Sequence, residues 1–417
     1  MTSQLQSLAG LVVLLALAWL FGERRTHVRF RTVLLGVALQ FFLAILLLKV
    51  SWFGPVFQGL NRMVLMLQQA TGAGTSFVFG YLGGAPLPFD EKIPGSGFIL
   101  AARALPLVIV ISALSALFYY WKVLPVIVRG IGLFLRKIMK ISGALGMGAA
   151  ANIFMGMIEA PLLIRPYLKT MSRSELFSLM TCGMATVAGT VMVLYATVLQ
   201  GVVEQVTGHI LTASIISVPA ALTVAMLMVP ETGKQISTGD VLLPSPAHSS
   251  MDAISRGTGE GLQLLINIIG MLIVMVALVH LVNQLLGLLP VSLAGQSLTL
   301  QHLLGLLLAP LMWLLGIPWG EASTAGTLMG TKVIINEFIA YIDLAALPKE
   351  ALSERSRIIL TYALCGFANP GSLGIMIAGL GGMVEERRKE IIGLGLRSII
   401  AGTIATCMTG AVVNIIL

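Results

Sequence analysis

Stretches of about twenty apolar residues recur along the whole chain, near 4–22, 30–50, 101–121, 174–203, 209–229, 262–286, 357–383 and 392–416. A helix needs roughly 20 such residues to cross a bilayer, and only helices or closed barrels satisfy their own backbone in hydrocarbon. The expected fold is an all-α integral membrane protein with about eight transmembrane helices, embedded in a lipid bilayer. Hydrophobic residues make up 57% of the chain and charged residues 11%, which fits that reading. The net charge of +8 by itself suits a nucleic-acid partner. The basic residues, however, cluster in short loops between the runs, where the positive-inside bias puts them, so no nucleic-acid partner is expected.

In MTSQLQSLAGLVVLLALAWLFGERR the positive charges follow the first apolar run. A secretory signal has the reverse order, so this run is expected to persist as the first span. Arg24, Arg25, Arg29 and Arg31 then place the next loop inside the cell and the N-terminus outside. Threading onward puts Arg129, Arg136, Lys137, Lys140, Arg165, Lys169 and Arg173 inside, with Arg387, Arg388 and Lys389 inside before the last span. The expected location is the cell inner (plasma) membrane, crossed several times. Pro230 to Gly261, a polar stretch dominated by Pro, Ser and Gly, reads as a cytoplasmic linker.

Two segments carry acids where acids are costly. GTKVIINEFIAY, Gly330 to Tyr341, holds Lys332, Asn336 and Glu337, and ANIFMGMIEAPLL, Ala151 to Leu163, holds Asn152 and Glu159. An ionised side chain within the membrane costs at least about 2.5–3.5 kcal/mol, so such residues face a cavity or pathway. Downstream of each lies a C-G-x-A-polar pattern, Cys182-Gly183-Met184-Ala185-Thr186 and Cys365-Gly366-Phe367-Ala368-Asn369. Three spans separate the acidic segments, an odd number, so the second copy enters from the opposite face. This predicts inverted repeats whose broken helices build a site near the midplane. The acidic segments themselves read as two re-entrant helical hairpins, permitted at membrane depth where protein or a water-filled cavity satisfies their backbone.

The sequence resembles the concentrative nucleoside transporters. The resemblance rests on GTSFVFGYLGG at Gly74 to Gly84, GFILAARALP at Gly97 to Pro106 and AAANIFMGMIEAPLLIRPYL at Ala149 to Leu168. It also rests on the G-x-K-x-x-x-N-E-F-x-A-Y signature at Gly330 to Tyr341, and on ALCGFAN at Ala363 to Asn369. It implies a bacterial sodium-coupled symporter, assembled as a homotrimer, with interfacial helices beside the spans and hairpins. The expected organisation is N-terminal scaffold helices over 1–122, then a first repeat over 123–229 with its hairpin near 141–168 and broken helix near 174–203. The linker over 230–261 and a connecting span with an interfacial helix over 262–317 follow. A second repeat occupies 318–417, with its hairpin near 319–345 and broken helix near 357–383.

The resemblance also implies the site. Glu337, Asn369 and Ser372 would grip the ribose hydroxyls of a nucleoside; a carboxylate accepts two hydroxyl hydrogen bonds, and an amide donates and accepts. Gly156, Met157, Ile158 and Glu159 would face the nucleobase together with Val191 and Phe367. Many sodium-coupled members have Gln-Thr where Met157 and Ile158 stand, so two polar base contacts are missing and base preference is open. Sodium, the implied coupling ion, would take the side-chain oxygens of Asn152 and Thr186 and the carbonyls of Met155 and Val187. No organic cofactor is implied. The same fold with a modified nucleoside, nucleotide or related conjugate as cargo, or with proton coupling, is the alternative; a passive channel is the remote one.

Other chemistry is not indicated. HExxH, GxSxG and Walker signatures are absent, so no enzymatic activity is expected. Cys182, Cys365 and Cys407 lie in separate apolar segments without CxxC spacing, and the five histidines show no ligand spacing. Lys332 reads as structural, paired with an acid or with carbonyls inside the hairpin.

Overall fold

The computed structural model describes residues 3–90, 97–233, 247–288, 292–293, 296–297 and 299–417. The chain begins with α1 (Ser3–Leu20), α2 (Phe30–Lys49), α3 (Phe53–Phe79), α4 (Leu100–Arg103), α5 (Leu107–Tyr120) and α6 (Val123–Met139). A first interrupted group follows: α7 (Gly143–Ala151), α8 (Glu159–Leu163), α9 (Arg165–Leu168), α10 (Arg173–Ala185) and α11 (Gly189–Val198). Next come α12 (Val206–Met228), α13 (Ser250–Gly287), a two-residue antiparallel ribbon of Ser292–Leu293 with Gln296–Ser297, and α14 (Leu300–Leu314). A second interrupted group, α15 (Trp319–Ile334), α16 (Glu337–Ala346), α17 (Glu354–Leu364) and α18 (Pro370–Met383), precedes the terminal α19 (Arg388–Ile416).

Among the described residues seven helices are long and apolar enough to cross a membrane, or eight if the bent pair α14 and α15 counts as one span. Seven of the eight apolar runs coincide with these helices. The eighth, 357–383, is split into α17 and α18. Pro370 begins α18 and pushes Asn369 into extended backbone (φ −149°, ψ 165°), because a residue before proline avoids the α region. The run near 174–203 is likewise split, where Thr186 (φ −113°, ψ 172°) leaves the helix between α10 and α11.

The stretch read as a linker is shorter than its composition suggests. Residues 234–246 lie outside the described residues, but 250–261 are already helix, started by the Ser249 hydroxyl accepting from Asp252 N. The glycines that made this stretch look like a linker are close-packing positions. A Cβ at Gly257 would lie 2.6 Å from Ser112 O, and one at Gly261 2.7 Å from Ile109 Cα. Helix α13 is therefore 38 residues long and packs its first part against α5, with Ile266, Ile273, Val274, Leu281 and Leu285 on its exposed side.

The centre is built from α10, α12 and α17, whose side chains are mostly buried, and from the C-terminal half of α19. The two breaks meet there. A Cβ at Gly366 would lie 2.9 Å from Met184 O, and one at Gly402 of α19 2.6 Å from Met184 Cβ. Only glycine permits so close an approach. The sharp turn between α14 and α15, which bends the pair by 118°, uses Gly316 at φ 97°. Polar groups buried on α1 satisfy its carbonyls: Ser7 donates to Leu315 O at 2.6 Å and Gln6 to Ile317 O at 3.3 Å.

One face gathers the charged loops. Arg173 pairs with Glu23 at 2.8 Å and with Glu390 at 3.5 Å, Arg397 also reaches Glu23, and Lys169 pairs with Glu386 at 2.7 Å. The loops following α1, α9 and α18, which the charge threading assigned to one side, thus lie together. The bound Arg173 guanidinium holds the Glu23 carboxyl below its ordinary value of 4.5.

Candidate functional site

Four broken elements converge on one cavity. Asn336, at the break between α15 and α16, is extended, and its Oδ1 accepts from Ile339 N at 2.9 Å, which starts α16 and seats Glu337 in the first turn. Asn369 Oδ1 does the same for α18, accepting from Ser372 N at 2.8 Å. The other end of that amide points at the acid, with Asn369 Nδ2 donating to Glu337 Oε2 at 2.9 Å. Tyr195 of α11 donates to Oε1 at 2.5 Å. Its ring is held by Phe338 and Tyr341, with centroids 6.1 and 5.0 Å away. Glu337 is 5% exposed and Asn369 1%, and this buried carboxylate lines the cavity.

The cavity measures about 160 Å³. A water needs roughly 10–15 Å³ on the same measure, so the space suits a small molecule. Every residue that the resemblance assigned to the substrate lines it: Gly156, Met157, Ile158, Glu159, Val191, Glu337, Phe367, Asn369 and Ser372. Met157 and Ile158 do more packing than facing. A Cβ on Gly183 would lie 3.0 Å from Met157 Cβ, and one on Gly379 2.8 Å from Ile158 Cγ1, so both side chains lean on glycine grooves in α10 and α18. The Glu159 carboxylate curls back over Gly156, where a Cβ would lie 2.3 Å from Oε2. Glu159 also lines a second cavity of about 400 Å³ that extends between α5 and α13 to Arg256 and Glu260.

Sequence reasoning missed Tyr195 and also Asn267 and Met271, which α13 contributes to the wall. A signal existed for Asn267, an amide inside an apolar run. None existed for Tyr195, whose ring passes as an ordinary apolar residue until its hydroxyl is seen against Glu337. Lys332 is 0% exposed, and its Nζ donates to Thr406 Oγ1 of α19 at 3.1 Å.

The residues assigned to the ion lie behind this cavity. Gly189 N donates to Phe154 O at 3.0 Å, which pins the turn after α7 to the break between α10 and α11. Asn152 is 1% exposed; its Nδ2 donates to Gly148 O at 3.0 Å, while its Oδ1 is buried without a hydrogen-bond partner. An orphaned buried acceptor costs about 1–3 kcal/mol, and a cation bound there removes that cost. Thr186 is 2% exposed and donates its hydroxyl proton to Cys182 O at 2.8 Å, leaving the oxygen lone pairs free. Val187 is fully buried, and Met155 belongs to the pinned turn. The donor set is hard oxygen throughout, which fits a hard cation.

Residues 9–82 match the family model described as Na+ dependent nucleoside transporter N-terminus, 101–201 the one described as Nucleoside recognition, and 209–414 the one described as Na+ dependent nucleoside transporter C-terminus. The chain is 36% identical to the Nucleoside permease NupC of Helicobacter pylori over 99% of its length and 98% of the relative. It is 35% identical to Solute carrier family 28 member 3 of Homo sapiens over 99% of its length, spanning 60% of that longer protein. A solved structure of CNTnw in an inward-facing substrate-bound state superposes over 100% of both chains with a TM-score of 0.90 at 36% identity. The chain belongs to the concentrative nucleoside transporters, a family of permeases and not of enzymes.

Proposed function

We propose that this protein imports nucleosides across the cell inner (plasma) membrane by symport with sodium, as a homotrimer whose subunits have their N-termini outside. The observation that carries the reading is Glu337: a buried carboxylate, oriented by Tyr195 and Asn369, that lines a cavity of small-molecule size. Ribose hydroxyls are the donors it suits. Ser372 and the Asn369 amide complete the grip, while Val191 and Phe367 offer apolar surface to a base, with Gly156, Met157, Ile158 and Glu159 on the facing side. Sodium bound by Asn152, Thr186 and the carbonyls of Met155 and Val187 would tie the turn after α7 to the α10–α11 break and so preform the cavity wall. That is how ion binding would favour nucleoside binding.

The reading is tested by isothermal calorimetry of uridine binding to the purified protein in sodium and in choline. Uridine affinity is expected to rise by roughly tenfold or more in sodium, within the usual range of coupling energies. Asn152→Ala should remove most of that difference. Equal affinity in the two salts would reject sodium coupling, and no uridine binding in either would reject the nucleoside cargo.

A further inference from the structure

Lys332 is the one group in the acidic segments to which the transport reading gives no task. It stands in the last turn of α15, fully buried, and its ammonium donates a hydrogen bond to Thr406 Oγ1. Cys407, Glu337 and Cys365 lie within electrostatic reach of its ammonium. Cys365 opens the break between α17 and α18, as Cys182 precedes the break between α10 and α11. In both halves the C-terminal end of a short helix points into a break, and such ends carry about half a negative charge. The halves answer that charge differently. The last turns of α7 and α10 hold no basic residue, and the buried Asn152 Oδ1 beside them has no partner. At the α15 and α17 ends stands an ammonium.

We infer that Lys332 is a tethered cation: it occupies, at the second break, the role that an exchangeable sodium takes at the first, neutralising the α15 and α17 ends and serving as counter-charge to the Glu337 carboxylate. An unpaired carboxylate at membrane depth is costly. An exchangeable cation would leave Glu337 bare on each return without cargo, whereas a tethered one travels with it. The second half therefore needs no ion from solution, and one sodium moves per nucleoside. This rests on the sodium reading above for the first half, but the charge of Lys332 serves Glu337 whether or not sodium is the coupling ion.

Two measurements test it. Charge moved per radiolabelled uridine, taken in proteoliposomes of the unaltered protein at clamped potentials, should be one elementary charge. Two would overturn the tethered-cation role. Lys332→Met should weaken uridine binding at saturating sodium by roughly tenfold or more, as loss of a buried charge partner does, while the sodium concentration giving half-maximal thermal stabilisation without uridine stays within about twofold of the unaltered protein. Lys332→Arg should recover much of the uridine affinity. A monodisperse Lys332→Met protein that binds uridine normally would contradict the inference, as would parallel losses in sodium and uridine affinity. If sodium stabilises neither protein, the symport reading falls alone, and the uridine comparison still decides the role of Lys332.

Discussion

At the residue scale the account depends on how Glu337 is held. Glu337→Gln keeps the shape but removes the charged acceptor, whose hydrogen bonds are worth about 1.5–3 kcal/mol, so uridine affinity should fall roughly tenfold or more by calorimetry. Tyr195→Phe leaves the ring against Phe338 and Tyr341 and removes only the hydroxyl at Glu337 Oε1. It should weaken ribonucleosides more than 2′,3′-dideoxynucleosides, and equal losses for both would show that Tyr195 does not orient the ribose grip. Base choice follows from the lean of Met157 and Ile158 into Gly183 and Gly379. Apolar walls discriminate by only about 1–3 kcal/mol. Purine and pyrimidine nucleosides should therefore compete for uptake within roughly one order of magnitude, and a hundredfold preference for one base would mean that other residues read its edge.

At the element scale, what was legible and what was not separates by mechanism. Asn152, Glu159, Glu337 and Asn369 stood out because polar groups in apolar runs are costly, and the structure brings Glu159, Glu337 and Asn369 to one cavity with Asn152 behind it. Helix α3 escaped notice. It buries only Phe57, Val64, Thr71 and Thr75, a narrow stripe at near-heptad spacing, while Gln58, Asn61, Arg62, Gln68 and Gln69 interrupt any long apolar run. The linker was overextended because glycine composition alone does not separate flexible chain from close helix contact. Gly257 and Gly261 are the latter kind, and this is testable. Gly261→Leu should destabilise the protein by about 1–3 kcal/mol, as overpacking does, lowering its unfolding temperature in detergent. Gly270→Leu, on the same helix with nothing within 4 Å of its Cβ, should leave that temperature unchanged. Equal effects at the two positions would contradict the α5–α13 contact.

At the scale of the whole molecule, two interrupted groups of helices press their breaks together across α19, and a charged cluster ties three loops on one face. Glu23 binds Arg173 and Arg397 there, and its carboxyl is held below its ordinary 4.5. A depressed acid contributes stability above its unfolded value and loses it as pH falls through the folded one. Thermal stability should thus decline below about pH 4.5, and Glu23→Gln should flatten part of that decline while lowering stability at neutral pH. An unchanged acid slope in Glu23→Gln would remove Glu23 from the cluster's balance. The central claim, though, is that the two halves couple a nucleoside to an ion. One sodium per cycle, at roughly 2.3 kcal/mol per 100 mV plus roughly 1.4 kcal/mol per tenfold gradient, can concentrate a neutral nucleoside several hundredfold. The direct measurement is uptake of radiolabelled uridine into proteoliposomes with an inward sodium gradient and with sodium equal on both sides at zero potential. The account predicts accumulation above the outside concentration only with the gradient, and a raised half-maximal sodium concentration in Thr186→Ala; the same final uridine level with and without the gradient would contradict it.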